Sequence, residues 1–225
     1  MKVYLNIFTN RHIIRKWEGI VLKRISLIAS SVLMGTLLFT ACSDAQGESL
    51  KDTQTKEILS TVEQNNDTYL MDWLSDSMDR GNHDFLSDHN GKLVLSKVVE
   101  SIERGEVIHY KLKDENQLGR VVGLPGETVE IKDGQVYIDG FKLDTFYGVA
   151  TIRGMTKEEY FNLMPSDNYD KEVAEDFFNT NMEPVQVEDE TVFLLVDSWS
   201  RGLDSREYGL ISNENIEGKV LGYMK

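Results

Sequence analysis

The sequence predicts a mainly β protein, built of antiparallel sheets with one small helical insertion. Three observations predict it. Runs rich in Val, Ile, Tyr and Phe recur between turn residues from Lys92 onward, two Asp-Gly pairs at 133–134 and 139–140 separate such runs, and helical spacing is concentrated at about 150–183. With 225 residues, 40% of them hydrophobic, the chain can bury one core, or one core and a smaller subdomain.

The elements follow in order. Lys23 and Arg24 precede the apolar run "ISLIASSVLMGTLLFTA" (25–41), which ends in small residues before Cys42, the only cysteine. A positive region, an apolar region and a small-residue site form a secretory signal. "LLFTACS" resembles a bacterial lipobox, which makes residues 1–42 a lipoprotein signal peptide and Cys42 the lipidated residue. The competing reading is an uncleaved anchor, because 17 apolar residues lie near the lower limit for a span. Both readings hold the body at the extracytoplasmic face of the cell membrane. A cysteine consumed by lipid leaves no disulfide, so the domain must rest on its apolar core.

Residues 43–72 are polar and read as a tether, with at most one short helix, where Ile58, Leu59 and Val62 stand at helical spacing. Residues 73–225 form the β domain. Its strand-type segments are "KLVLSKVV" (92–99), "EVIHYKL" (106–112), "GRVVGL" (119–124), "TVEIKDGQVYIDG" (128–140) and "TVFLLVDSW" (191–199). Asp133-Gly134 and Asp139-Gly140 predict hairpin turns, since both residues tolerate positive φ. Within the insertion, Thr156 followed by Glu159 has capping-box spacing, and Val173 and Phe177 stand four apart on one helical face.

Charge excludes some partners. The first 42 residues carry six Lys or Arg against Glu18, while the whole chain is at −14, so the remainder stands at −19. Such a body repels phosphates, and no basic stripe argues for nucleic acid. No cofactor and no metal site are expected.

Three segments then carry a family resemblance. "RGEVIHY" (104–110), "GRVVGLPGETVEIKDGQVYIDG" (119–140) and "VDSWSRGLDSREYGLI" (196–211) run in the order of the boxes of the type I signal peptidases, and they resemble them. The resemblance implies a signal-peptidase-like β fold and a serine peptidase with a Ser/Lys dyad. Such a dyad needs a hydroxyl and a neutral lysine within hydrogen-bond reach. "SDSMDRGNHDFL" (75–86) offers Ser77-Met78 as the nucleophile box, although "DRGNHDF" replaces the Pro and Thr-Leu that should follow. Arg120 through Gly126 set the register of the second box and put Gly119 at the lysine position.

In the third box Asp197, Asp204, Ser205 and Arg206 match, while Val196, Ser198, Trp199 and Gly202 stand at its Gly, Asn, Arg and first Ser positions. The matching residues, with Arg120, are expected to form a buried structural network.

Two functions follow. The first is a catalytically degenerate, lipid-anchored module that holds an extended peptide or preprotein, or another peptidase. The second is a working membrane serine endopeptidase that processes signal peptides with Ser77 and a displaced base. Candidates for that base are His109, Lys111 and Lys113 on one face of a strand, and His83 and His89 in the loop after Ser77, with Asp84 and Asp88 nearby.

Overall fold

The computed structural model describes residues 49–165 and 168–225. The apolar run and Cys42 lie outside the described residues.

Thirteen strands among the described residues make two sheets. The first runs β1 (Ser49–Lys51), β9 (Phe141–Asp144), β8 (Gln135–Ile138), β7 (Thr128–Lys132), β10 (Met182–Gln186). The second runs β12 (Ile211–Ser212), β11 (Thr191–Leu195), β6 (Glu115–Gly123), β5 (Val107–Leu112), β13 (Ile216–Met224), β4 (Leu93–Ser96), β3 (Thr68–Met71), with β2 (Thr61–Val62) added to β13. All pairings are antiparallel except β1 with β9 and β2 with β13.

Both Asp-Gly pairs form two-residue hairpin turns. Lys132 pairs with Gln135 across Asp133 (φ 48°) and Gly134 (φ 70°), and Ile138 pairs with Phe141 across Asp139 (φ 51°) and Gly140 (φ 82°). Two positive φ angles in succession match the right-handed twist of the flanking strands. β6 is buried on both faces: Val122 joins the core of the five-stranded sheet, whereas Val121 joins a separate cluster with Ile108, Tyr110, Val192, Leu194 and Ile211. This explains why Val121 and Val122 are both apolar instead of alternating with polar residues.

The insertion holds two helices, α2 (Lys157–Leu163) and α3 (Lys171–Phe178); a third, α1 (Ser87–Asn90), precedes β4, and α4 (Ser205–Tyr208) follows β11. Thr156 caps α2: Glu159 N–H donates to its hydroxyl at 3.4 Å, and Thr156 N–H donates back to Glu159 at 2.9 Å. The Thr156 N–H and the Thr156 hydroxyl, both donating to Glu159 Oε2, hold the Glu159 carboxyl below its ordinary range. In α3 the buried face is Ala174 and Phe178, not Val173, which is 65% exposed. The aromatic cluster of Tyr160, Phe161 and Phe178 decides that orientation.

Residues 49–71 correct the expected tether. They contribute β1, β2 and β3, and no helix forms at Ile58, which is exposed. Asp52 pins the segment. Burial alone would raise its carboxyl, but hydrogen bonds from Thr55, from Tyr147 OH at 2.6 Å and from the Gln54 and Thr55 N–H groups outweigh that and lower it to about 2. Local polar composition hides this role, because Tyr147 lies 95 residues away in sequence.

Two further strands carry no clear sequence signal. β10 contains Pro184, admissible because β10 is an edge strand with a register shift between Met182 and Val185. β13 is interrupted by Gly218, where a β-carbon would lie 2.5 Å from Tyr69 OH.

Candidate functional site

Ser77 sits in a 3-10 turn, Asp76–Met78, that lies against β6. Ser75 caps this turn by accepting the Ser77 N–H at 3.3 Å. The third box closes over the turn. Ser198 N–H donates to Ser77 O at 2.9 Å, and Arg201 reaches Asp76 at 2.8 Å. A β-carbon built on Gly202 would stand 2.8 Å from Ser77 Cβ and 3.0 Å from Val196 Cγ1. Ser77 is 5% exposed, and its Oγ is buried with no hydrogen-bond partner among the described residues.

Position 119 lies in β6, opposite Ile108 of β5. A β-carbon there would meet Leu194 Cβ at 3.1 Å and Tyr110 Cε1 at 3.3 Å. A side chain at 119 therefore starts in the apolar cluster of Tyr110 and Leu194, while Met78, next to Ser77, packs with Trp73, Val107, Leu118 and Val196. Tyr110 covers the glycine from the neighbouring strand, an arrangement that shields an otherwise bare backbone.

The matching residues form two buried ion pairs. Arg120 Nε donates to Asp197 Oδ1 at 2.7 Å and Nη2 to Oδ2, while Nη1 donates to Gly105 O at 2.7 Å. Burial works against the Arg120 charge, but Asp197 more than offsets it and leaves the pKa raised. Phe146 and Tyr147 flank the guanidinium at 5.0 and 5.4 Å. Asp204 accepts from Arg206 Nε at 2.8 Å and from Val196 N–H at 2.9 Å, and Ser205 Oγ accepts from Leu194 N–H at 2.9 Å. These side chains take over backbone donors near the end of β11. Burial keeps the Asp204 carboxyl above its ordinary range despite Arg206.

None of the displaced bases reaches Ser77. His109 is buried rather than solvated, between Tyr69 OH (2.8 Å from Nδ1) and Asn116 Oδ1 (3.0 Å from Nε2). Lys111 pairs with Glu217 at 3.5 Å, and Lys113 lies 5.3 Å from the Tyr208 ring centre. His83 and His89 stack on each other with centroids 3.9 Å apart, His83 N–H bonds Asp79, and Asp88 lies 3.8 Å from His89. Asp84 is buried, which raises its pKa. No group of three or more metal-ligating side chains occurs among the described residues.

The profile described as "Signal peptidase, peptidase S26" matches residues 20–224. The chain belongs to the signal peptidase S26 family. Among relatives in that family, "Signal peptidase I S" of Bacillus subtilis is 31% identical over 123 residues, 54% of this chain and 59% of that protein. "Signal peptidase I" of Bacillus amyloliquefaciens is 29% identical over 123 residues, 54% of this chain and 58% of its own. The chain thus spans less than two thirds of the length of these signal peptidases. A solved signal peptidase I from Enterococcus faecalis is 23% identical and covers 54% of this chain and 98% of its own, with a TM-score of 0.39.

Sequence reasoning missed what packs around Gly119 and Ser77. Tyr110 packs over Gly119 across the β5–β6 hairpin, and the Ser198 N–H reaches Ser77 O from a segment remote in sequence. The one available signal was the apolar character of Val196 and Trp199 inside an otherwise polar box.

Proposed function

We propose that this signal peptidase homologue is a membrane-held, extracytoplasmic module, anchored through lipidated Cys42, that binds an extended peptide or preprotein without cutting it. One observation carries the reading: Ser77 Oγ is sealed from solvent and touches no proton acceptor among the described residues. A serine hydroxyl is a weak nucleophile until a positioned base takes its proton, and misplacing that base costs orders of magnitude in rate. The crowding at 119 adds to this, since a side chain there would start against Leu194 and Tyr110, in a different cluster from the one that holds Met78.

Peptide binding is supported by a free edge. β11 pairs with β6 only from Arg120 to Gly123, so Glu115–Gln117, which are not buried, have β5 on one side and no strand partner on the other among the described strands. An extended peptide can add to such an edge through backbone hydrogen bonds. The test is photocrosslinking from Gln117 to a labelled preprotein peptide, competed by unlabelled peptide. The reading expects competable product at Gln117 and none at the exposed Lys142; equal product at both sites would reject it.

A further inference from the structure

The body begins much earlier than local composition suggests, and this constrains how it meets the membrane. From Ser49 onward the chain is built into the fold: Ser49, Leu50 and Lys51 pair with Lys142, Leu143 and Asp144 of β9, and Asp52 is held by Tyr147. Thr55 then packs on Gly105, where a β-carbon would come within 1.9 Å of its hydroxyl. Only residues 43–48 separate Cys42 from Ser49. Seven Cα steps reach at most about 24 Å even when fully extended.

The register says which part of the body lies at that short distance. β1 is parallel to β9, so Ser49, the first described residue, lies opposite Lys142, next to Phe141 at the start of β9. Phe141 closes the turn on Asp139-Gly140, and as a large apolar side chain at a hairpin end it is 45% exposed. Lys142 follows, exposed and without a carboxylate partner among the described residues. An aromatic ring beside a long cationic side chain suits the boundary between acyl chains and headgroups.

We propose that the β8–β9 hairpin end, with Phe141 as its apolar contact, rests on the lipid surface and fixes the orientation of the body. The proposal depends on the membrane anchoring proposed above, and it holds for a lipidated Cys42 or an uncleaved anchor, since both place lipid at the same point in the chain. Its test uses the full chain in phosphatidylethanolamine and phosphatidylglycerol vesicles, with a benzophenone amino acid at Phe141 or, as controls, at the exposed Val173 or Val98. The expected result is at least tenfold more lipid adduct at Phe141 than at either control. Sedimentation of the unsubstituted chain with vesicles reads the anchoring separately. A chain that sediments yet gives no excess adduct at Phe141 overturns the hairpin contact alone; a chain that stays in the supernatant overturns both.

Discussion

Gly202 lies so close to Ser77 that a β-carbon on the glycine would stand 2.8 Å from Ser77 Cβ, inside any real carbon contact. The third box is thereby packed directly onto the turn that carries the serine. Gly202→Ala should destabilise the domain by about 1–3 kcal/mol, the usual cost of overpacking. Ser77→Gly should recover much of that loss in the double variant, and thermal melts of the four proteins give the coupling.

Restoring a lysine by sequence alone should fail. Gly119→Lys forces its first carbons against Leu194 and Tyr110, in an apolar cluster. Melts should show a loss of about 2 kcal/mol or more, from overpacking and from burying an amine, and the variant should gain no Ser77-dependent cleavage.

Tyr110 itself carries a buried hydroxyl without a partner among the described residues. An unsatisfied buried donor costs about 1–3 kcal/mol. Tyr110→Phe should therefore leave the melting temperature unchanged or raise it, whereas loss of the whole ring in Tyr110→Ala should lower stability by about 3–5 kcal/mol.

The two kinds of ion pair should separate cleanly. Asp197→Ala leaves the Arg120 guanidinium buried without its partner and should cost about 3–5 kcal/mol in denaturant unfolding. Asp72→Ala, which breaks the exposed pair with Lys92, should cost less than about 1 kcal/mol.

Asp52 makes the attachment of residues 49–62 sensitive to acid. Its folded pKa lies near 2, below the ordinary 3.8, so the unfolded state binds more protons between those values. The stabilisation is present above about pH 4 and is lost as pH falls toward about 2. Its size is at most about 1 kcal/mol, because the carboxylate is only partly buried. Asp52→Asn should flatten this limb of the stability curve and raise amide exchange at Leu50 and Lys51.

Much of the fold was legible where the controlling interactions are local. The Asp-Gly hairpins, the Thr156 cap and the alternating runs of β7 and β8 declare themselves within a few residues. What escaped depends on distant partners. Asp52 reads as linker until Tyr147 is beside it, His109 reads as a polar strand face until Tyr69 and Asn116 enclose it, and α3 turns Ala174 inward because Phe178 must meet Tyr160. At the candidate site, resemblance alone proposes Gly119, from the register of the second box, and Ser77, from its Ser-Met pair, whereas the packing of Tyr110 on Gly119 and of Gly202 on Ser77 and Val196 is a property of the folded molecule.

The most direct measurement is a single-turnover assay. Full-length protein in detergent, in molar excess over a secretory preprotein, is compared with its Ser77→Ala variant. An unactivated hydroxyl predicts no product above background and identical traces for the two proteins. Mature product that forms with the wild type and vanishes with Ser77→Ala would contradict it.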